Sequence, residues 1–177
     1  MRFNISTFIF FFLTFALVSL AAPSKRSADV EGILTTLKTQ VDSVLPSIKS
    51  LIASERVTEA ALTPLVGELT TAVNAAKTSL SALSGPVTED AEDVAEIIAG
   101  VISDIATALN GLPAVAGDIN LGSILSSLDT ALNQVLLGLD ILLAGVLNLV
   151  SAPLVDVAGI LSGLGLTLGG ILGGLGL

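Results

Sequence analysis

Five carboxylates fall within eight residues, at Glu89, Asp90, Glu92, Asp93 and Glu96. Such a group could hold a calcium ion, but calcium loops space their oxygen ligands along an irregular turn, and no such spacing is present. These acids instead follow Thr88, a favourable N-cap, and fill the first turn and a half of an expected helix. Negative charge there complements the helix dipole and the free amide groups, so no metal site is assigned. Ser126, Asp129, Asn133 and Asp140 are a second group, separated by three, four and seven residues. On a helix that spacing makes one narrow polar stripe. Lys25-Arg26 is a third, either a dibasic site for a processing protease or two polar residues of a short linker.

What is missing limits the chemistry more sharply. The chain has no His, Cys, Trp or Tyr. Without His or Cys it lacks the usual general base, the usual activated nucleophile, most zinc ligands and any disulfide. Ser and Thr are plentiful, yet only carboxylates and a few scattered bases could take their protons. A glycosidase would need two placed carboxylates, and sugar sites commonly add aromatic platforms. No Gly-rich phosphate loop follows a strand pattern. An acidic chain without stacking side chains is a poor partner for nucleic acid, and anionic headgroups repel it too. The expectation is a protein that is not an enzyme, with no cofactor, no metal and no nucleic-acid partner.

The elements that position these residues begin after a leader. Arg2 gives a positive start, Phe8 to Leu20 is an apolar run, and Ser19-Leu20-Ala21 presents small residues where a signal peptidase reads. Residues 1–21 therefore read as a secretory signal peptide with Ala21 at its cleavage site, and 22–26 as a processed linker. All six Phe and the single Met lie in this leader. Beyond residue 26, sixteen acids face four bases, Lys38, Lys49, Arg56 and Lys77, a net charge of −12.

Apolar residues then recur at steps of three and four from Val30 to Ile52, which predicts an amphipathic helix over about 28–53. Pro46 should kink it or split it. A second helix is expected over about 58–83, its regular part starting near Pro64. Ser84-Gly85-Pro86 stops it. A third runs from Thr88 to about Asn110-Gly111-Leu112-Pro113.

From Asp118 the character changes. Residues 97–177 contain 21 leucines, five acids and no base. Val135 to Val150 is apolar around most of a helix, so it is either buried on all sides or meets an apolar phase. Pro153 should interrupt it. The uncharged end, Ala158 to Leu177, alternates Gly with Leu or Ile; its small-xxx-small pairs suit close helix contacts, while its glycines equally suit an irregular or β-prone tail. A buried Leu or Ile stabilises by about 1.5–3 kcal/mol, so ten left in water would cost roughly 15–30 kcal/mol, more than a domain's usual net stability. One helical bundle could bury many of them. The apolar face is nevertheless wider than a bundle stripe needs, and the excess points to another phase or other copies.

The segments LTPLVGEL (62–69), IIAGVISDI (97–105), LDTALNQVLLGLDILLAGVLNLV (128–150) and PLVDVAG…LGLTLG (153–169) resemble the small, cysteine-free secreted structural proteins of mushroom-forming fungi. A looser similarity is to fungal hydrophobic-surface-binding proteins. The resemblance implies a protein of the hyphal wall and extracellular matrix that works alongside hydrophobins in aerial growth and attachment. It offers no catalytic residues. Hydrophobins themselves are built around cysteines and are excluded.

The sequence thus predicts an all-α bundle of about four helices with a Gly/Leu-rich apolar C-terminal tail. Residues 27–117 form a relatively polar, acidic half and 118–177 a strongly hydrophobic one. The expected function is that of a structural amphiphile, secreted to the extracellular space or cell wall. Its partners would be hydrophobic surfaces, wall or matrix components, lipid and other copies of itself. Leu136, Leu139, Leu142, Leu143, Val146, Leu147, Val150, Leu161, Leu164, Leu168 and Ile171 are the expected interfacial residues. Alternatives are a membrane-associated or lipid-anchored protein using residues 157–177, and a helical lipid carrier. Apolar surroundings disfavour a charged carboxyl, so mildly acidic pH should promote assembly through Asp118, Asp129 and Asp140.

Overall fold

The computed structural model describes residues 30–55, 57–83, 90–166 and 168–170. The first helix, α1 (Val30–Ala53), buries Val30, Leu34, Leu37, Val41, Leu45 and Ile48 along one stripe. It runs through Pro46 without splitting. Pro46 is exposed, as is Asp42, whose carbonyl loses the missing amide, and buried Leu45 and Ile48 anchor the turns on either side. The second helix, α2 (Glu59–Ser81), starts five residues before Pro64. Thr58 fixes that start, its hydroxyl accepting from the amide of Ala61 at 3.2 Å.

The third helix, α3 (Ala91–Leu109), is capped by Asp90, whose carboxylate accepts from the amide of Glu92 at 3.0 Å. The cap therefore lies two residues beyond Thr88, which, with Glu89, is outside the described residues. Glu92 and Asp93 do occupy the first turn, where the dipole favours them. Past Leu109 a single helical turn, Leu112–Val115, precedes the next helix. Gly111 lets the chain pass close to α1, because a Cβ there would come within 2.6 Å of the Ile52 side chain and force it to shift.

The apolar stretch that should have broken at Pro153 breaks earlier. Helix α4 (Leu121–Leu142) is capped by Asn120 and ends at Leu143; helix α5 (Val146–Gly163) then carries Pro153 unbroken. The break is set by Gly145, with φ of +93°, a conformation glycine adopts without strain. Pro153 is exposed, while Val150 and Leu154 beside it are buried, so packing holds the helix through it. The segment 157–177 is not one helix: α5 stops at Gly163, Gly165 turns left-handed, and a 3-10 turn covers Leu168–Gly170. Residues 171–177 are outside the described residues.

The described residues are all-α, with five long helices among them because Gly145 divides the last apolar stretch. Helix α1 packs on both α2 and α3, α2 packs on α4, and α3 packs on α5. The 3-10 turn rests on α4, whereas α4 and α5, though consecutive, touch only sparsely. One hydrophobic cluster runs from Val30 to Leu168, so residues 27–117 and 118–177 share a core. It is wholly aliphatic, and among the described residues no polar or charged side chain is buried with it. Lys38 ties α1 to α3 through a 2.7 Å contact with Asp104 and lies 3.8 Å from Asp42.

Candidate functional site

Amphipathic helices hide the residues that share their apolar stripe, and the expected interfacial set shows this. Leu136, Leu139, Leu143, Val146, Val150, Leu161, Leu164 and Leu168 are all buried core residues. Leu142 and Leu147 are half-buried and packed against that core. Eight of these ten are therefore hidden in the bundle, and Leu142 and Leu147 keep only part of their apolar surface free. Ile171 and the processing residues Ala21, Lys25 and Arg26 lie outside the described residues.

The exposed large aliphatics are different residues of the same helices: Leu137 (45% exposed), Ile141 (85%), Leu149 (37%) and Val155 (55%). Leu137 and Ile141 are one turn apart and side by side on α4. The sequence did carry their signal. Once Leu125, Leu128, Leu132, Val135 and Leu139 are assigned to the inner face of α4, Leu137 and Ile141 are left over on the outer one.

The polar stripe of α4 is not a solvated face. Asp129 is half-buried, and its Oδ1 accepts from the backbone N–H of Leu168 at 2.7 Å. Asp140, also half-buried, accepts from the N–H of Gly145 at 3.3 Å. Asn133 lies between them in the stripe, and its Oδ1 is buried without a hydrogen-bond partner. Only Ser126, at the N-terminal end of the stripe, is exposed. Leu168 itself has φ of +46°, uncommon for any residue but glycine. Two acids of the stripe thus bind backbone amides, at the entry to α5 and again beyond its exit.

Other surface features offer less chemistry. A groove between α2 and α4 is lined by Thr70, Asn74, Ser126, Ser127, Thr130 and Gln134, all uncharged. The hydroxyls of Thr70, Ser126 and Thr130 donate to carbonyls of their own helices. Among the described residues no three His, Cys, Asp or Glu side chains gather into a metal-sized group. Asp104 raises the pKa of Lys38 above its ordinary value of 10.5, chiefly through their hydrogen bond and then through charge, against a lowering by partial burial. Among the described residues, two helical stretches, Ala91–Val115 and Val146–Gly163, are long and apolar enough to cross a membrane by length and composition, although half of the first is buried inside the bundle.

Fold and surface together define an all-helical bundle with an aliphatic core and apolar side chains exposed along its last two helices. No family model matches the chain. It is 43% identical over 54 residues to a protein of the mushroom Flammulina velutipes named fruiting body differentiation protein 16. That similarity covers 30% of this chain and 42% of the relative's length.

Proposed function

We propose that the chain is a secreted, non-enzymatic structural amphiphile of a fungal cell wall or extracellular matrix. It adsorbs to hydrophobic surfaces or self-associates through residues 118–177. The observation that carries this reading is a segregation along the chain. Among the described residues, every large exposed aliphatic belongs to α4 or α5, while the bases Lys38, Lys49 and Lys77 belong to α1 and α2. The name of the mushroom relative supports a setting in fungal development, and the signal-like leader supports export.

The test uses the whole protein, because the shared core means that a chain cut at Gly117 would lose the partners of α2 and α3. Purified protein should lower the surface tension of water and stay on a fluoropolymer film through washing. An equally acidic helical protein without exposed aliphatics on two adjacent helices should do neither. Absence of both effects would refute the proposal. The apolar length of α5 favours a second reading, association with lipid membranes. Partition into detergent, with no effect on surface tension, would select it.

A further inference from the structure

The α4–α5 boundary carries three costs in the closed bundle. The two helices are sparsely packed on each other, although only three residues join them. On α4, between the two acids of the stripe, Asn133 Oδ1 is buried without a partner, and a desolvated carbonyl is unfavourable until water or a donor reaches it. Leu168, where the chain returns to α4, is held in a left-handed conformation that persists only because its surroundings fix it. Against these stand two carboxylates of one stripe. Asp140 holds the N–H of Gly145 before α5, and Asp129 holds the N–H of Leu168 after it. They are 11 positions apart on α4, about 16 Å along its axis.

We propose that Asp129 and Asp140 form a two-point clasp holding α5 and the C-terminal turn on α4, and that contact with an apolar liquid releases it. The inner faces of α4 and α5 then become the adsorbing surface. This rests on the surface-active reading above and names the state that carries it out. Gly145 is the hinge, since it joins the two helices in a conformation that costs glycine little. Helix α2 packs on α4, α3 packs on α5, and α1 joins α2 to α3, so α4 and α5 can part along this line while those contacts persist. Opening exposes Leu136, Leu139, Val150, Leu154 and Leu161, a far larger apolar face than the four side chains exposed in the closed bundle. An apolar liquid suits this face because it needs no shape complementarity and supplies the burial that the core gives up.

The absence of cysteine makes a direct test available. Gln134→Cys and Asp156→Cys, both at exposed positions on α4 and α5, accept a pair of spin labels in the full protein. The label separation should lengthen when the protein binds hexadecane droplets. A separation unchanged in droplet-bound protein overturns the clasp and leaves surface activity standing; a protein that never binds droplets overturns both. A second readout is the lag before interfacial tension falls. Asp129→Ala with Asp140→Ala should shorten it about tenfold, the scale of losing hydrogen bonds to a charged group. Asp129→Asn with Asp140→Asn keeps an acceptor at each position and should restore most of the lag. A shorter lag in the alanine variant without label separation would show general destabilisation and would also overturn the proposal.

Discussion

Replacing Leu139 by Ala and, separately, Ile141 by Ala makes chemically similar cuts two residues apart on the same helix. Leu139 is fully buried, whereas Ile141 is 85% exposed. Truncating the buried side chain removes its transfer free energy and leaves a cavity, at a cost of about 2–5 kcal/mol. Truncating the exposed one removes little that folding had hidden, so its cost should be within about 0.5 kcal/mol. Urea unfolding followed by circular dichroism at the helical band is the suitable assay, because the chain beyond its leader has no aromatic residue to report by fluorescence. With a denaturant slope of about 1–3 kcal/mol per molar, a 3 kcal/mol loss moves the midpoint for Leu139→Ala down by roughly 1–3 M. The midpoint for Ile141→Ala should barely move. If Leu139→Ala unfolds with wild-type stability, Leu139 is not a core residue, and the inward orientation of the α4 stripe is wrong.

Gly145→Ala should destabilise by about 1–2 kcal/mol, since φ of +93° is strained for any residue with a Cβ, and thermal melts would detect it. Lys38 has a raised pKa in the folded protein, so its stabilisation is fully present below about 10.5 and is lost as pH rises through the higher folded value. The pair is over two-fifths exposed and worth only about 0.2–1 kcal/mol; the stability gap between wild type and Asp104→Asn should therefore be small and constant to pH 9.5, then close above 10.5. Acidification towards the sequence pI of about 4.1 removes the net negative charge that keeps copies apart. Light scattering at fixed concentration should rise from neutral pH towards pH 4, and a flat trace would contradict it.

The periodicity of α1, α2 and α3 was legible because each has one apolar stripe and a polar remainder. Neither Pro46 nor Pro153 ends its helix, for a common reason. Pro46 and Pro153 both sit on exposed faces, with packed residues on either side, and a lost amide there is cheap relative to the burial that a broken helix would forfeit. Gly145 was the real break, but the segment holds so many glycines that spacing alone could not single it out. The burial of most of the expected interfacial set was not legible for a different reason. From Val135 to Val150 nearly every side is apolar, so the pattern shows which residues share a face without showing which face the neighbours cover. Only the packing of α4 on α2 and of α5 on α3 decides that, and it leaves Leu137 and Ile141 outside. Asp129 and Asp140 were correctly grouped as one stripe, but their partners are backbone amides, which no side-chain pattern announces.

The wholly aliphatic core has an evolutionary consequence. Ala, Val, Ile and Leu can be exchanged for one another at modest cost when total volume is kept, and this core contains no aromatic ring or buried polar pair to fix a particular arrangement. Mutational drift can therefore rewrite most of its letters while the helices stay where they are. Descendants of one ancestor would soon share helix lengths and the spacing of their apolar stripes while keeping little residue identity. Kinship among such chains is better sought in that spacing than in matched residues.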